Sequence, residues 1–412
     1  MVSGNHRLPF RYCEPACFGG LLDDPLIFLR IRPMGRALLF DCGQIAHLAK
    51  RVVKPIVAVF ITHAHMDHIM GLPTLVRHHH ASPRPLDVFG PPGIAERVQH
   101  LLGGYDWNLA EPTWFTLRLH EVHADRILHY RFPGPDRFIG TCEGEEPRIG
   151  REIWACRYLS VEAEILDHKL PVLAFRANEQ PHFTIDPAKL EAHGLVAGEW
   201  LRDLKTRVWK GHGQHEVLVT RRDGEGSREE PADDPTALYE AIRAQETTAS
   251  LGYVTDVGWT RENVAVMERF MGGLTLLCAE CTFLEADVHK ARASYHLTTG
   301  DLNRLAGRLA PRYLLPLHLS KSYLRRTVDL YHELQPPQGT EILRLPKHIV
   351  PAPVGVADVD GWLRPGGRKG RETGDATATD RSVDTSATTV ENSNQDRCNP
   401  SKTSHDKERS IL

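Results

Sequence analysis

The sequence predicts an α/β protein, on three observations. Short apolar and β-branched runs, each as long as a buried strand, alternate with stretches of helical periodicity through most of the chain. Several of those runs close on Asp, Glu or His, which gathers polar chemistry along one rim of a sheet. Hydrophobic residues are 41% and charged residues 25% of the 412, a globular balance in a chain long enough for one large domain or two ordinary ones.

Taken in order, "LIFLRI" (26–31) and "ALLFD" (37–41) read as hairpin-connected strands, and "IVAVFI" (56–61) as a buried strand. "GLPTLVRHHH" (71–80) reads as a helix with Pro in its first turn. "LDVFG" (86–90) is a further strand and "PPGIAERVQHLL" (91–102) a second helix. Farther along, "SLGYVTD" (250–256), "LTLLCAE" (274–280) and "RYLLPLH" (312–318) are strands that each end on a polar residue. A helix over 298–310 lies between the last two, capped by Thr298 or Thr299. Gly and Pro mark 132–160 as an inserted loop, and 222–235 is charged and expected to be exposed. From 364 to 412 the chain is polar and almost without bulky apolar side chains, so it is expected to be disordered.

Lys+Arg at 50 against Asp+Glu at 53 gives a net charge of -3, which does not advertise nucleic-acid binding but leaves room for a local basic patch. No apolar run approaches the ~20 residues of a membrane span, and the N-terminus shows no apolar secretory core. The eight cysteines are scattered, which suits reduced thiols in a cytoplasmic protein. The close pairs Cys13/Cys17 and Cys278/Cys281 read as small buried hydrophobes before they read as a zinc clip, since no second pair has ribbon spacing.

One loop stands apart. "ITHAHMDHIMG" (61–71) carries His63, His65, Asp67 and His68 between a β-branched strand and a helix. His63 and His65 alternate to one side, and Asp67 with His68 turns onto the helix. Imidazole with carboxylate suits zinc, and two neighbouring zinc ions can share four such ligands. A solvated polar turn is the plainer alternative, and four such residues at this spacing make it the weaker one. His78, His79 and His80 point in different directions on one helix end, so a charge interaction with the helix C-terminus fits them better than a shared metal.

The loop's H-x-H-x-D-H pattern resembles that of the metallo-β-lactamase-fold hydrolases, and further segments resemble ribonuclease Z, the endonuclease family that trims the 3′ end of precursor tRNA. "LLFDCGQIAHLAKR" is similar to that family's strand and acidic-Cys-Gly turn, "VFGPPGIAERV" to its Gly-Pro-Pro-Gly segment, and "LDHKLPVLAFRANE" (166–179) to its third histidine motif. "KLEAHGLVAGEWLRDLKTRVWKG" (189–211), "LCAECTF" (277–283), "YHLTT" (295–299) and "LPLHLSKSY" (315–323) follow in the family's order, so the likeness spans roughly 37–323. It implies a four-layer αββα sandwich over about 1–350, with insertions at about 132–160 and 181–235 and the polar tail of 364–412 beyond.

The same resemblance implies two zinc ions, with manganese or iron as alternatives for the same ligands. His63, His65 and His168 would hold one ion and Asp67, His68 and His318 the other, with Asp256 bridging. It implies a phosphodiesterase acting through a metal-activated hydroxide, in which Asp67 serves the catalytic centre, His296 protonates the leaving 3′ oxygen and Glu280 orients His296. Other histidines (His120, His123, His129) lie upstream of His168, and Leu-Asp-His before an apolar strand favours His168. Lys205, Lys210, Lys321 and Tyr323 are the expected substrate contacts, precursor tRNA or another phosphodiester the expected partner, and a homodimer the expected assembly. There is no sign of membrane association.

Departures are visible. "CFGGLLDD" stands where a Gly-Thr-Gly strand motif belongs, and Ala279-Glu280-Cys281-Thr282 lacks the first histidine of the His-Glu-Ala-Thr motif. A basic arm for the tRNA elbow is best matched by 181–211, with Lys189, Lys205, Arg207 and Lys210. Two rival readings therefore accompany the nuclease: a hydrolase of a small cyclic nucleotide, ester or lactone, and an inactive binding scaffold, against which the intact ligand set argues.

Overall fold

The structure is a computed structural model that describes residues 7–348 apart from 83, 211–215 and 225. The chain divides into Met1–Pro351 and Ala352–Leu412; the second unit, and with it the tail expected to be disordered, lies outside the described residues.

Among the described residues the first sheet holds, side by side in chain order, β1 (Cys13–Ala16), β2 (Ile27–Ile31), β3 (Arg36–Phe40), β4 (Ile56–Phe60), β5 (Leu86–Gly90), β6 (Thr116–Val122), β7 (Arg126–Pro133) and β8 (Thr141–Pro147). Its centre, β3 to β6, is parallel, and both flanks are antiparallel. The chain then enters a second sheet through β9 (Glu152–Ala155), β10 (Leu159–Asp167) and β11 (Pro171–Glu179). A separate hairpin, β12 (Val217–Asp223) and β13 (Gly226–Ala232), intervenes. The second sheet resumes with β14 (Ser250–Val254), β15 (Leu276–Glu280), β16 (Tyr313–Leu317) and the short β17 (Glu341–Ile342), which pair in parallel.

Alternation along each central strand explains the layers. In β4, Ala58 and Phe60 face the opposite sheet while Val59 faces helices. In β14, Leu251 and Tyr253 face inward and Val254 outward. Between the sheets Phe40 stacks on Phe60 with centroids 5.1 Å apart, and Phe60 on Phe89 at 5.1 Å. Burying each such ring stabilises the sandwich by roughly 1.5–3 kcal/mol.

Helices α1 (Lys50–Val53), α2 (Met66–Ile69), α3 (Leu72–His79) and α4 (Ile94–Gly103) follow strands of the first sheet, and Val53, Leu72, Leu75, Val76, Val98 and Leu102 cover its outer face. Three more, α5 (Pro187–Ala192), α6 (Trp200–Lys210) and α7 (Pro235–Ile242), pack with the β12–β13 hairpin into a small satellite core around Trp200, Leu204 and Tyr239. On the second sheet lie α8 (Arg261–Phe270), α9 (Val288–Ser294), α10 (Thr299–Leu309) and α11 (Thr327–Glu333), with Met267, Phe270, Leu302, Leu305 and Leu330 in its outer core. The layers run helix, sheet, sheet, helix.

Differences from the sequence reading are local. Residues 132–160 are no irregular loop, because β8 and β9 run through them and extend one sheet each. Residues 222–235 are mostly exposed, as expected, and form most of a hairpin in which β12 and β13 pair across Asp223–Gly226. Helix α4 begins at Ile94, later than expected, because Gly93 adopts φ 86° after two prolines. Thr298 caps α10 in a reciprocal capping box with Asp301.

Candidate metal centre

The loop after β4 leaves the sheet at the rim where the central parallel strands end. Asp41 follows β3, Asp256 lies two residues beyond β14, and His318 follows β16 directly. All three adopt left-handed φ, 55°, 52° and 61°, at a cost of about 1–2 kcal/mol each. Such strain on non-glycine residues clusters at functional sites. His168 sits in the tight β10–β11 turn. Cys42 N–H donates to the His68 carbonyl (2.9 Å) and Gly71 N–H to the Cys42 carbonyl (2.8 Å), which ties the loop to the β3 turn. The approach leaves no room for a side chain: a Cβ on Gly43 would lie 2.0 Å from the Asp67 carbonyl oxygen.

Donor atoms of His63, His65, His168 and Asp256 lie within 4.8 Å of one another, as do those of Asp67, His68 and His318. Asp256 divides its two oxygens between the groups. Its Oδ2 is 3.6 Å from His63 Nε2 and 3.7 Å from His168 Nε2. Its Oδ1 is 3.5 Å from His68 Nε2 and 2.9 Å from His318 Nδ1. Asp67 Oδ2 is 3.2 Å from His318 Nε2 and 3.6 Å from His68 Nε2. The seven residues singled out in the sequence are thus gathered as two groups joined by one carboxylate.

A further set of residues orients these ligands. The Nδ1 of His68 contacts Asp41 Oδ2 (2.8 Å), to which the Tyr253 hydroxyl also donates (2.9 Å), while Thr62 donates its N–H (2.7 Å) and its hydroxyl to the same carboxylate. In the neutral imidazole a donor bond from Nδ1 to this carboxylate leaves Nε2 as the lone pair aimed at the centre. His168 Nδ1 is likewise held by the Tyr295 carbonyl at 2.6 Å. The opposite nitrogens, His63 Nε2 and His68 Nε2, are buried without a hydrogen-bond partner, as is His318 Nδ1. Buried donors or acceptors left over in this way are costly unless something else coordinates them, and clustered imidazole nitrogens beside two carboxylates fit divalent cations of the zinc type.

Charge in the cluster is uneven. Burial, with help from His68, pushes His63 down to about 2, and burial lowers His168, so both are neutral imidazoles ready to ligate. Burial opposes charge on His68 and His318, yet Asp256 with Asp41 raises the first, and Asp256 with Asp67 raises the second to about 10. Asp67 is held below the usual carboxylate range, where His318 and His68 outweigh burial. Cation binding at His68 and His318 therefore displaces protons, whereas Asp67 is already a carboxylate.

Beside the centre, Glu280 is buried and fully engaged. Its Oε1 accepts from Val257 N (2.6 Å), and its Oε2 from the Thr282 hydroxyl (2.6 Å), His296 Nδ1 (2.9 Å) and Leu297 N (3.2 Å). That bond leaves Nε2 of His296 to face the centre, where a ring nitrogen lies within 4.8 Å of donor atoms of Asp256 and His318. Burial works against a charged His296, but Glu280 prevails and the imidazole is raised above its ordinary value.

An open cleft of about 590 Å³ gives access, lined by His65, Asp67, His168, Asp256, His296, His318 and also Asp24, Phe283 and Lys321. Of the expected substrate contacts, Lys321 reaches this cleft. Tyr323 does not: it is 4% exposed and its hydroxyl is taken by Asp287, because the turn after His318 folds the ring against Phe283. Lys205 lies on α6 over the Phe183 ring, in the satellite unit, and the side chain of Lys210 is outside the described residues. His120 on β6 and His129 on β7 pair with Asp87, Glu146 and each other, and His123 in the turn between them pairs with Glu121, all outside the metal-type groups found among the described residues. His79, read as a helix-end charge, is 4% exposed and bridges the Leu75 and Ile56 carbonyls.

Sequence reasoning passed over Tyr253 and gave Asp41 no role. The signal for Asp41 was its place at the end of a strand beside the metal loop; Tyr253 carried no local signal.

Comparison with known proteins places this geometry. A profile described as Beta-lactamase superfamily domain matches residues 36–133. A protein of Deinococcus radiodurans named ribonuclease Z is 31% identical over 331 residues, spanning 79% of this chain and 91% of that one. The ribonuclease Z of Shouchella clausii is 31% identical over 299 residues, spanning 71% of this chain and 79% of that one. Among solved structures, the short form of human tRNase Z aligns at 17% identity and a TM-score of 0.42, over 77% of this chain and 91% of that one.

Proposed function

The chain belongs to the ribonuclease Z family of metallo-β-lactamase-fold hydrolases, and on that premise we propose that it uses two zinc ions to remove 3′ trailers from precursor tRNA. It is a hydrolytic endoribonuclease. The observation that carries the metal assignment is the division of Asp256, with one oxygen toward His63 and His168 and the other toward His68 and His318. In this reading His63, His65 and His168 would hold one ion and Asp67, His68 and His318 the other, with Asp256 available to both. Two cations so held would supply activation of water at neutral pH and neutralisation of charge on the phosphoryl oxygens.

The remaining chemistry belongs to the chain. His296, whose imidazole Glu280 raises above its ordinary value, delivers its Nε2 proton to the departing 3′ oxygen. Glu280 holds the ring in place through Nδ1 and the loop through Leu297 N, so the donor is oriented before substrate arrives. Lys321, in the cleft, offers a point charge to a phosphate flanking the scissile one. The open mouth suits a polymer. Among the described residues no helix is long and apolar enough to cross a membrane. Cytoplasmic placement accords with the buried free thiols of Cys13, Cys42, Cys278 and Cys281; the resemblance supports a homodimer, which mass in solution checks.

The test is incubation of the purified, metal-loaded protein with end-labelled precursor tRNA, a cyclic nucleotide and a model ester. Cleavage just 3′ of the discriminator base, abolished by a chelator, is expected. Robust turnover of a small substrate with intact precursor would refute the reading.

A further inference from the structure

Away from the metal cleft, the outer face of the first sheet is left uncovered at its β1–β2 edge, where a groove of about 480 Å³ opens. Its floor is apolar, with Pro15, Ala16, Phe18, Phe28, Val52 and Pro55. Three arginines rim it: Arg30 at the end of β2, Arg36 at the start of β3 and Arg51 on α1. Among the described residues none of the three has an ion-pair or hydrogen-bond partner. Neighbouring Arg32 differs, since it donates to the Phe10 and Arg11 carbonyls. Glu14 is the one carboxylate in the lining. An arginine triad left unpaired around an aromatic floor is a surface that lacks an anion.

Direction matters as much as charge. β1 is antiparallel to β2 and β2 to β3, so β1 and β3 run the same way. The groove therefore extends from Gly35 and Arg36 at the foot of β3 to Phe18 just past the top of β1, roughly 17 Å of strand. The loop that follows Phe18 supplies Leu22, Asp23 and Asp24 to the wall of the metal cleft. The residues that flank this loop, Phe18 and Phe28, line the groove, and the loop itself walls the cleft. The acid side of an in-line displacement lies at His296, and the RNA on the far side of the phosphorus must leave elsewhere. Asp23 on that path is already paired with His348 Nδ1 at 2.7 Å.

We propose that this groove binds single-stranded RNA, the unpaired strand continuing beyond the scissile phosphate, with phosphates on Arg30, Arg36 and Arg51 and a base stacked on Phe18. A positive track with an aromatic platform is the general means of holding a single strand. The groove is too small for a duplex. The choice of RNA over other polyanions rests on the nuclease reading of the cleft.

The experiment uses the full, metal-loaded chain and a fluorescein-labelled single-stranded RNA of about 12 nucleotides, with binding followed by anisotropy across a salt series. In the R30Q/R36Q/R51Q variant, affinity should fall at least about tenfold, and the log-log salt slope should shrink by about 2, near 0.7 for each lost phosphate contact. Hydrolysis of bis(p-nitrophenyl) phosphate, which needs only the metal centre, should stay at the wild-type rate. Phe18→Leu should weaken binding and leave the salt slope alone. Should the triple variant fail to fold, the three single variants are read instead, each expected to lose about 0.7 of slope. Unchanged affinity and slope overturn the proposal, and so does a change in oligomeric mass in place of RNA affinity, which would give the groove to a second copy of the chain. A protein that binds the oligonucleotide through these arginines yet trims no precursor tRNA would sink the nuclease reading and leave the groove standing.

Discussion

Replacing Asp41 with Asn isolates how a residue outside both metal-type groups directs a member of one. Asp41 is fully buried and receives the Thr62 N–H (2.7 Å), the Thr62 hydroxyl, the Tyr253 hydroxyl (2.9 Å) and His68 Nδ1 (2.8 Å). Asn tolerates the left-handed φ of 55° at this position, so the turn should survive. Its single oxygen can keep the two Thr62 donors. Its amide then meets His68 Nδ1 donor to donor, and His68 can relieve the clash only by moving its proton to Nε2, the nitrogen a metal needs. Loss of one charge-assisted hydrogen bond costs about 1.5–3 kcal/mol. Converted to affinity, that is about 10- to 150-fold, which brackets the ~10–100-fold typical when a ligand's supporting partner is lost. Tyr253→Phe removes one neutral donor, worth about 1 kcal/mol, and should weaken binding about fivefold. The assay is a zinc dissociation constant by chelator competition at neutral pH, with a thermal melt as the control for folding. A D41N protein that binds zinc within about twofold of wild type would refute the orienting role.

Further outcomes follow from the same geometry. His296→Ala should lower turnover by about 10²–10⁴-fold while two zinc ions stay bound, whereas Asp256→Ala should lose metal as well, read by metal analysis of dialysed protein; equal zinc loss would show that His296 is a ligand. A donor works only while protonated, so activity falls as pH rises through the His296 pKa. Because Glu280 raises that pKa, Glu280→Gln should move the alkaline limb of the rate profile to lower pH, and an unmoved limb would exclude His296 as the donor. Gly43→Ala must displace the Asp67 carbonyl, 2.0 Å from the new Cβ, and should weaken zinc binding with little change in helix content; an unchanged zinc constant would mean the metal loop is softer than its hydrogen bonds suggest.

What was legible in the sequence was whatever depends on neighbours along the chain. The strands β3, β4, β5, β14, β15 and β16 are short, apolar and bounded by turns, and they fall within two residues of where alternation and length placed them. The loop from His63 to His68 was legible for the same reason, since four ligand-type residues lie within one turn of backbone. Asp256 and His318 were legible as polar strand ends, but their roles as ligands, like that of His168, came through resemblance, because nothing local distinguishes one strand-end Asp or His from another. The strands β8 and β13 were missed because their residues are mostly exposed and no apolar period marks them; β12 was missed although Val217 and Val219 alternate into the satellite core, because that signal covers only three residues before the chain turns charged.

By itself, then, the chain's order of side chains determined an α/β protein with a metal-type loop at a strand end, and the sandwich was what the family resemblance implied. Tertiary structure decided the rest. It brought Tyr253 to Asp41 across 212 residues, turned Tyr323 away from the cleft into the core, and left three arginines without a partner among the described residues beside an uncovered edge. These outcomes depend on which sheet faces which and where a helix layer stops. Such choices are set by the packing of the whole core, which no short window of sequence contains.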